Sequence, residues 1–316
     1  MRMAVVGAGI MGTNHARLAG NVRDLELAWV VDPDAERAGA VADAHGAKAT
    51  TDLREAISDV EAAVVATPTD THGEIATTLL DAGVDVLVEK PLAASVDEAS
   101  SIVEAATRGD RILMAGHVER FNPAVLALEM PMADTIHIAA QRVSPFLARV
   151  RDDVVVDLMI HDLDIVCALA GAPATEVQAA GRSARGDVLD IASALVTFEN
   201  GVVATLTASR VGQQKIRTFE ITLTDRFVSV DLVRQDVTVN RVEHSEFLAS
   251  EGARYRQTGV VEIPFLEHRG EPLELELREF ARAVSTRTAP LVTGHEGVEA
   301  LRLVDRVRRA VEHTRA

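Results

Sequence analysis

The chain has 316 residues, and its 32 basic and 48 acidic side chains give a formal net charge of -16. A composition of 47% hydrophobic and 25% charged residues is that of a folded globular protein and excludes intrinsic disorder and collagen-like structure. The acidic balance disfavours nucleic acid as a partner, because an acidic surface repels phosphate backbones.

Length, cysteine content and hydropathy narrow the class further. A chain of this length predicts two domains, since single hydrophobic cores stop growing at about 250–300 residues. The single cysteine, Cys167, excludes an intrachain disulfide framework and a cysteine-rich zinc site. No apolar run is long enough to span a bilayer, and the glycine-punctuated start carries no clean signal-peptide cleavage pattern. We therefore expect a cytoplasmic protein without a membrane partner.

Residues 1–120 alternate short apolar runs with helical patterns. The runs are apolar almost throughout, which indicates strands buried on both faces of a parallel sheet. The alternating order predicts a doubly wound α/β domain of the Rossmann type. The predicted strands are Met3–Val6, Leu27–Val31, Ala62–Ala66, Val84–Val88 and Ile112–Ala115, and the predicted helices cover about 10–19, 34–44, 71–82 and 95–107.

Residues 121–316 change to a pattern of repeated strands, which predicts an α+β domain on a mostly antiparallel sheet. We assign the two closing helices to this domain, with packing back on the first domain as the alternative. The dipeptide Asn200-Gly201 favours a type I′ hairpin turn. The predicted strands are about 134–143, Ile191–Phe198, Val202–Ser209, Phe219–Leu223, Phe227–Leu232 and Val237–Val242, and the helices are Asp153–Ala170 and about 273–286 and 295–313.

A glycine-rich loop follows the first predicted strand. Gly7-Ala8-Gly9-Ile10-Met11-Gly12 fits G-x-G-x-x-G, in which the glycines allow a tight turn, a close approach to a pyrophosphate and close helix packing. Asp32 ends the second predicted strand, where a carboxylate can accept hydrogen bonds from ribose hydroxyls and repel a 2′-phosphate. The set predicts a dinucleotide site that takes NAD in preference to NADP. As a structural alternative, Asp32 caps a helix.

Two further segments follow predicted strands at the same edge of the sheet, where ligands of such sheets bind. Thr67-Pro68-Thr69-Asp70-Thr71-His72 offers polar groups, although Asp70 or Thr71 also suits a helix cap. In Glu89-Lys90-Pro91, the lysine is one of only three in the chain. We expect Thr67, Pro68, His72, Glu89 and Lys90 to contact the cofactor, with a solvated Lys90 as the alternative.

A polar cluster interrupts the otherwise apolar helix Asp153–Ala170. Asp157, His161 and Asp164 share one helical face at spacings of four and three. A histidine beside a carboxylate is the usual general base for an alcohol proton. Ligation of a divalent metal and a buried network without chemistry are the alternatives.

Taken together, GAGIMG, Asp32, TPTDTH, Glu89-Lys90-Pro91 and the Asp157…His161 pair resemble the Gfo/Idh/MocA oxidoreductase family, from end to end. The resemblance implies an N-terminal Rossmann domain and a C-terminal open-faced sheet often used for oligomer contacts, hence a homodimer or homotetramer. It implies hydride transfer between NAD(P) and a sugar or cyclitol hydroxyl carbon. Many members carry glycines before the aspartate, whereas this chain has Val154-Val155-Val156, a departure that bears on the backbone at Asp157.

The motif matches imply catalytic roles for three residues. Lys90 matches the lysine of E-K-P, and Asp157 and His161 match D-x-x-x-H. His161 would take the hydroxyl proton, Lys90 would donate a hydrogen bond to that oxygen, and Asp157 would bind a neighbouring hydroxyl, with no metal required.

Within the family, Gly116–Val125 and Asp157–Asp162 resemble the branch that acts on UDP-N-acetylhexosamines. A pyrophosphate in the substrate needs local cations, for which Arg149 and Arg151 are candidates, as alternatives to ordinary surface arginines. Arg120 and Asn122 are further candidate substrate ligands. A cyclitol or free-sugar dehydrogenase is the alternative enzyme, and a non-catalytic NAD-binding protein is the alternative from another class.

Overall fold

A computed structural model describes residues 1–147, 152–185, 187–249, 252–267 and 270–315, with the side chains of 242–258 and 315 excepted. The chain divides into two compact units. The first comprises Met1–Phe121 and Gly270–Arg302, and the second comprises Asn122–Arg269 and Leu303–Ala316. The closing segment is therefore shared between the units, and the division falls inside the last helix.

The first unit is built on a parallel six-stranded sheet, as the apolar runs predict. Its order is β3-β2-β1-β4-β5-β6, so the winding direction reverses between β1 and β4, the position where such sheets bind ligands. β4 and β5 are buried at every residue, which explains their continuous apolar sequence. The strands are β1 Arg2–Val6, β2 Glu26–Val31, β3 Lys48–Thr50, β4 Ala62–Val65, β5 Asp85–Glu89 and β6 Leu113–Gly116.

Helices cover this sheet and extend its core. The C-terminal helix α8 belongs to this unit and places Leu273, Leu277 and Phe280 in the same core as the sheet. The short elements β3 and α3 were not predicted, because three to five residues carry too little periodicity. The helices are α1 Ile10–Ala19, α2 Ala35–His45, α3 Leu53–Ile57, α4 His72–Asp81 and α5 Val96–Gly109, followed later in the chain by α8 Pro272–Thr286.

The second unit is built on a mostly antiparallel eight-stranded sheet of order β14-β13-β12-β11-β7-β10-β9-β8. One pair departs from this pattern, since β7 and β10 run parallel. In β9 the even-numbered residues are buried and the intervening ones are half-buried or exposed, as expected for a sheet with one open face. The strands are β7 Thr135–Val143, β8 Ala174–Arg182, β9 Ile191–Phe198, β10 Val203–Ser209, β11 Ile216–Leu223, β12 Arg226–Asp231, β13 Asp236–Ala249 and β14 Gly252–Glu262.

The remaining helices are α6 Pro123–Leu126, α7 Ile160–Ala170 and α9 Gly294–Arg315. The predicted helix over Asp153–Ala170 is present, but it begins with a π-helical turn at Val155–Met159. No helix among the described residues combines the length and the apolar character needed to cross a bilayer.

The predicted hairpin between β9 and β10 forms, but the prediction of its turn type is wrong. A type I′ turn on Asn200-Gly201 needs a positive φ at both residues. Gly201 has a φ of +86°, whereas Asn200 is not among the residues with positive φ. The Gly201 N–H donates to the Phe198 carbonyl oxygen at 2.9 Å. The two central residues of the turn are therefore Glu199 and Asn200, one position earlier than predicted, and Gly201 follows the turn with its left-handed backbone.

Candidate active site

The glycine-rich loop is closed by contacts that only glycine permits. Gly7 has a φ of +97°, and its N–H donates to the Val31 carbonyl oxygen at 2.7 Å. A Cβ at Gly12 would lie 1.7 Å from the Gly7 carbonyl oxygen, and one at Gly7 would lie 2.5 Å from that of Ala66. These two glycines therefore fix how closely α1 approaches β1 and β4.

Gly9 has a different role, because a Cβ there meets nothing within 4 Å. Gly9 precedes α1, whose N-terminus has no side-chain cap and no acidic residue in its first turn. Uncapped N–H groups and the positive end of the helix dipole suit an anion. Ile10, the first residue of α1, is 62% exposed and Met11 is half-buried. The open side of the loop therefore fits the pyrophosphate of a dinucleotide.

Asp32 connects the glycine loop to the loop after β2. One carboxylate oxygen accepts the Ala8 N–H at 2.7 Å, and the other accepts the Asp34 N–H at 2.9 Å. The Arg37 Nε lies 3.8 Å from Asp32. Each carboxylate oxygen has lone-pair capacity for a further donor, so Asp32 can serve both the loop and a ribose. The sequence did not indicate the first of these tasks.

His72 connects the loops after β4 and β5. Its side chain is 1% exposed, with Nδ1 2.9 Å from the Pro91 carbonyl oxygen and Nε2 2.9 Å from that of Thr67. Both ring nitrogens thus contact the backbone, whereas the sequence suggested a cofactor contact. Thr67 is half-buried and Pro68 is exposed, so these two stay at the surface of the sheet edge.

Glu89 and Lys90 follow one another at the end of β5 but differ in environment. Glu89 is 6% exposed, and its Oε1 lies 2.7 Å from Nε2 of the buried His15 on α1. Lys90 is half-buried, and its N–H donates to the Glu89 carboxylate at 3.3 Å. The Glu89 carboxylate is therefore used inside the fold, next to the backbone that carries Lys90.

In the second unit, Asp157 lies within the π-helical turn and His161 on the first turn of α7. The Ile160 N–H donates to the carbonyl oxygen of Val155, five residues back, which is the π-helical pattern and recurs at functional sites. Both Asp157 and His161 are half-buried. Val154, Val155 and Val156, which stand where many family members have glycines, therefore form the start of this π-helical turn.

The chain entering this turn is fixed by two carboxylates. Asp153 accepts the N–H groups of Val155 and Val156 at 2.9 and 3.1 Å. Asp190 accepts a hydrogen bond of 2.8 Å from the Arg210 guanidinium, which also donates to the Asp152 carbonyl oxygen. Burial acts to raise the pKa of Asp190, but the bonds from Arg210 and from two backbone N–H groups outweigh burial and lower that pKa.

A buried ion pair fixes α7 one residue beyond His161. The guanidinium of Arg142 on β7 donates to both carboxylate oxygens of Asp162, with a shortest distance of 2.6 Å. Arg142 is 0% exposed and Asp162 is 2% exposed. Removing one partner of such a pair leaves a buried charge at a cost of about 3–5 kcal/mol. The pair therefore links α7 to β7 at the residue next to His161.

Two of the candidate substrate ligands are buried and make contacts within the fold. Arg120 is 4% exposed, and its guanidinium lies 3.5 Å from the carboxylate of Glu296. Asn122 is 3% exposed, caps α6 through the Ala124 N–H and donates to the Leu232 carbonyl oxygen. Arg149 and Arg151 lie outside the described residues.

Sequence reasoning missed the buried charged residues that support these loops. Glu276 lies on the apolar stripe of α8, with Leu273 and Phe280 at helical spacing, and His15 lies on the buried side of α1. Arg142 occupies a buried position on β7. A charged residue at a core position of a periodic pattern is the signal that would have found them.

Comparisons with known proteins agree with this geometry. The model of the oxidoreductase family with an NAD-binding Rossmann fold matches residues 1–117, and that of the GFO/IDH/MocA C-terminal domain matches residues 98–228. The fold and the site thus define an NAD-binding oxidoreductase. The chain belongs to the Gfo/Idh/MocA family.

Relatives match over nearly the whole chain. The chain is 32% identical to the UDP-N-acetylglucosamine 3-dehydrogenase of Acidithiobacillus ferrooxidans, over 99% of this chain and 97% of that protein. A solved structure of that enzyme matches with a TM-score of 0.89 at 33% identity, over 99% and 98% of the two chains. The scyllo-inositol 2-dehydrogenase (NAD(+)) of Bacillus subtilis is 29% identical over 93% of this chain and 89% of that protein. Sugar and cyclitol dehydrogenases are therefore among the relatives that match over most of this chain.

The glycine loop gives a first prediction. Gly9→Ala should fold normally, because its Cβ enters open space, but should weaken NADH binding at least about tenfold by occupying the approach of the pyrophosphate. Gly12→Ala should lose both binding and thermal stability, since its Cβ overlaps a carbonyl oxygen. Binding is measured by calorimetric titration and stability by the melting temperature.

Gly39→Ala is the matched control. It lies in α2, where a Cβ also meets nothing within 4 Å, so it should bind normally and gain about 0.5–1 kcal/mol of stability. Normal NADH affinity in Gly9→Ala would contradict the assignment of the open side of the loop.

Proposed function

We propose that this protein is an NAD-dependent dehydrogenase that oxidises a hydroxyl carbon of a UDP-N-acetylhexosamine. The observation that carries the proposal is the end-to-end similarity to a UDP-N-acetylglucosamine 3-dehydrogenase, at 32% identity over 99% of this chain. The matching TM-score of 0.89 extends that similarity to both units.

The residues of the first unit fit the proposed cofactor. When bound, the dinucleotide supplies the acceptor for the hydride that leaves the sugar carbon. The backbone at Gly9 and the uncapped N-terminus of α1 would hold the pyrophosphate. Asp32 would accept hydrogen bonds from the adenosine ribose and disfavour a 2′-phosphate, which is the basis for proposing NAD over NADP.

The proton chemistry is assigned to Lys90 and His161. His161 takes the hydroxyl proton as a general base, and Lys90 donates a hydrogen bond that stabilises the negative charge developing on that oxygen. Asp157 binds a neighbouring hydroxyl. Their half-burial supports these roles, because each side chain keeps some accessible surface.

A second candidate substrate class is a cyclitol, for which the similarity to scyllo-inositol 2-dehydrogenase over 93% of this chain is the supporting observation. A UDP-sugar carries a pyrophosphate, whereas a cyclitol does not. Arg149 and Arg151 stay candidate pyrophosphate ligands. The homodimer or homotetramer also stays a prediction, which light scattering checks.

The cofactor proposal predicts the effect of Asp32→Ser. The change should weaken NAD binding and shift the ratio of kcat/KM for NAD over NADP at least about tenfold towards NADP, because the repulsion of the 2′-phosphate is lost. Steady-state kinetics with both cofactors measures this ratio. Losing the hydrogen bonds of Asp32 could also weaken the loop that binds the cofactor. Such a change would lower kcat/KM for NAD and NADP alike, so it would leave their ratio unchanged. A wild-type enzyme that prefers NADP would overturn the proposal.

The proposed chemistry predicts that Lys90→Ala and His161→Ala each lower kcat, His161→Ala by about 10²–10⁴-fold, with NADH affinity nearly unchanged. Lys48→Ala and His313→Ala are controls at exposed positions and should retain activity. Near-normal turnover in His161→Ala would move the base elsewhere. Loss of wild-type activity with a chelator, restored by a divalent metal, would favour the metal alternative for Asp157, His161 and Asp164.

The substrate proposal is tested by comparing UDP-N-acetylglucosamine, its uronic acid, free N-acetylglucosamine and myo-inositol on one preparation. A UDP-sugar should have the highest kcat/KM, because binding energy from the nucleotide is available away from the reacting carbon. The nucleotide-sugar proposal would be wrong if kcat/KM for myo-inositol or the free sugar exceeded that for the UDP-sugars by more than about tenfold, which is roughly 1.4 kcal/mol in transition-state binding. The protein would then be a cyclitol or free-sugar dehydrogenase.

A further inference from the structure

A buried cluster of three titratable side chains lies in the first unit behind the Glu89-Lys90 segment. His15 on α1, Glu89 on β5 and Glu276 on α8 have one ligand-type atom each, and these atoms lie within 4.8 Å of one another. His15 and Glu276 are 0% exposed and Glu89 is 6% exposed. The cluster therefore joins the cofactor-binding helix, the strand that ends at Lys90 and the C-terminal helix.

The distance between His15 and Glu89 is that of a hydrogen bond rather than of two ligands around an ion. His15 Nε2 and Glu89 Oε1 are 2.7 Å apart, a hydrogen-bonding separation. Zinc ligands about 2.0–2.2 Å from a tetrahedral ion lie farther from one another than that. A proton between His15 and Glu89 accounts for their contact.

Glu276 differs from the other two members in its hydrogen bonding. Both of its carboxylate oxygens are buried, and neither has a hydrogen-bond partner among the residues that the structure describes. Two ionised carboxylates beside one imidazole would leave at least one uncompensated negative charge, which is strongly unfavourable in a protein interior. A proton on Glu276 removes that charge.

The arginines on the elements around the cluster have carboxylate partners outside it. Arg17 on α1 pairs with Glu271, and Arg278 on α8 pairs with Glu274, in both cases at the surface. Residues 118–121, which pack on α8, carry Glu119 and Arg120, and Arg120 lies 3.5 Å from Glu296. Lys90 is half-buried at the end of β5.

We propose that Glu276 is a neutral carboxylic acid in the folded protein and that, together with His15, it positions the Glu89 carboxylate and thereby the backbone of Lys90. Burial, followed by the negative charge of Glu89, raises the pKa of Glu276 well above its usual range, in agreement with the charge balance. Glu89 in turn accepts the Lys90 N–H. Glu276 is thus a positioning residue, and its link to turnover rests on the proposed role of Lys90.

The protonation state is tested by stability against pH, which needs no substrate. Glu276→Gln mimics the neutral acid. Above pH of about 4.3 an unfolded chain ionises Glu276, whereas the folded protein keeps the proton, so the wild type loses stability as the pH rises. The melting temperature of Glu276→Gln should therefore exceed that of the wild type by a margin that widens from pH 5 to pH 8.

The comparison isolates Glu276, because both proteins carry every other titratable group. Glu299→Gln, which changes an exposed carboxylate paired with Arg302, should show no such widening. A variant that instead becomes progressively less stable than the wild type as the pH rises would mean that Glu276 is ionised, and would overturn the proposal. The infrared difference spectrum at pH 7, wild type minus Glu276→Gln, should contain the carbonyl stretch of a protonated carboxylic acid; a carboxylate signal alone would also overturn it.

The positioning role is tested by comparing Glu276→Gln with Glu276→Leu. The amide should retain kcat within about threefold, while the apolar side chain should lower kcat roughly 10–100-fold, with NADH affinity and circular dichroism unchanged in both. Wild-type kcat in a folded Glu276→Leu, or an equal loss in both variants, would refute positioning by a neutral acid. The stability and infrared measurements need no substrate. They therefore test the neutral state of Glu276 even if the protein fails to oxidise UDP-sugars.

A metal-binding alternative is resolved by the same proteins. Metal analysis of the purified wild type, and titration with Zn²⁺ or Mn²⁺, should show no stoichiometric ion that Glu276→Gln loses. Stoichiometric metal lost in that variant would assign the cluster to a cation and overturn the neutral-acid proposal.

Discussion

Parallel strands end at a common edge, and this constraint determines where the first unit can place its chemistry. Asp32, Thr67 and Glu89-Lys90 come from three separate parts of the sequence, yet each follows a strand of one sheet. The loops at that edge are joined to one another by specific contacts. Asp32 accepts the Ala8 N–H, and His72 contacts backbone carbonyls in the two loops beside it.

Buried carboxylates in this protein are stabilised in two ways. In the second unit, Arg142 with Asp162 and Arg210 with Asp190 form complete ion pairs, so the burial of each carboxylate is offset by a guanidinium with several hydrogen bonds. In the first unit, the cluster of His15, Glu89 and Glu276 places two carboxylates beside one imidazole. The ion pair of Arg142 and Asp162 links β7 to α7 directly, whereas the proposed neutral state of Glu276 depends on a bound proton.

Much of the fold follows from local sequence patterns, and the differences have identifiable physical causes. Apolar runs of four or five residues locate five of the six strands of the parallel sheet, because burial on both faces leaves no polar alternation. The hairpin at Asn200 was located, but its turn type depends on a backbone angle that the dipeptide only biases. The π-helical turn at Val155–Met159 inserts a five-residue hydrogen bond that the periodicity of 3.6 does not reveal.

The two parts of the candidate site also differ in how far sequence could predict them. The glycine loop depends on backbone geometry at Gly7 and Gly12, where a positive φ at Gly7 and close backbone contacts at both positions admit only glycine, so a short motif is informative. The placement of α7, which carries His161, depends instead on Arg142 of β7, 20 positions before its ion-pair partner Asp162. Such a contact leaves no local pattern, because any strand position facing α7 could carry the arginine. The D-x-x-x-H motif therefore locates the helix in the sequence, whereas a long-range charge pair fixes that helix to the sheet.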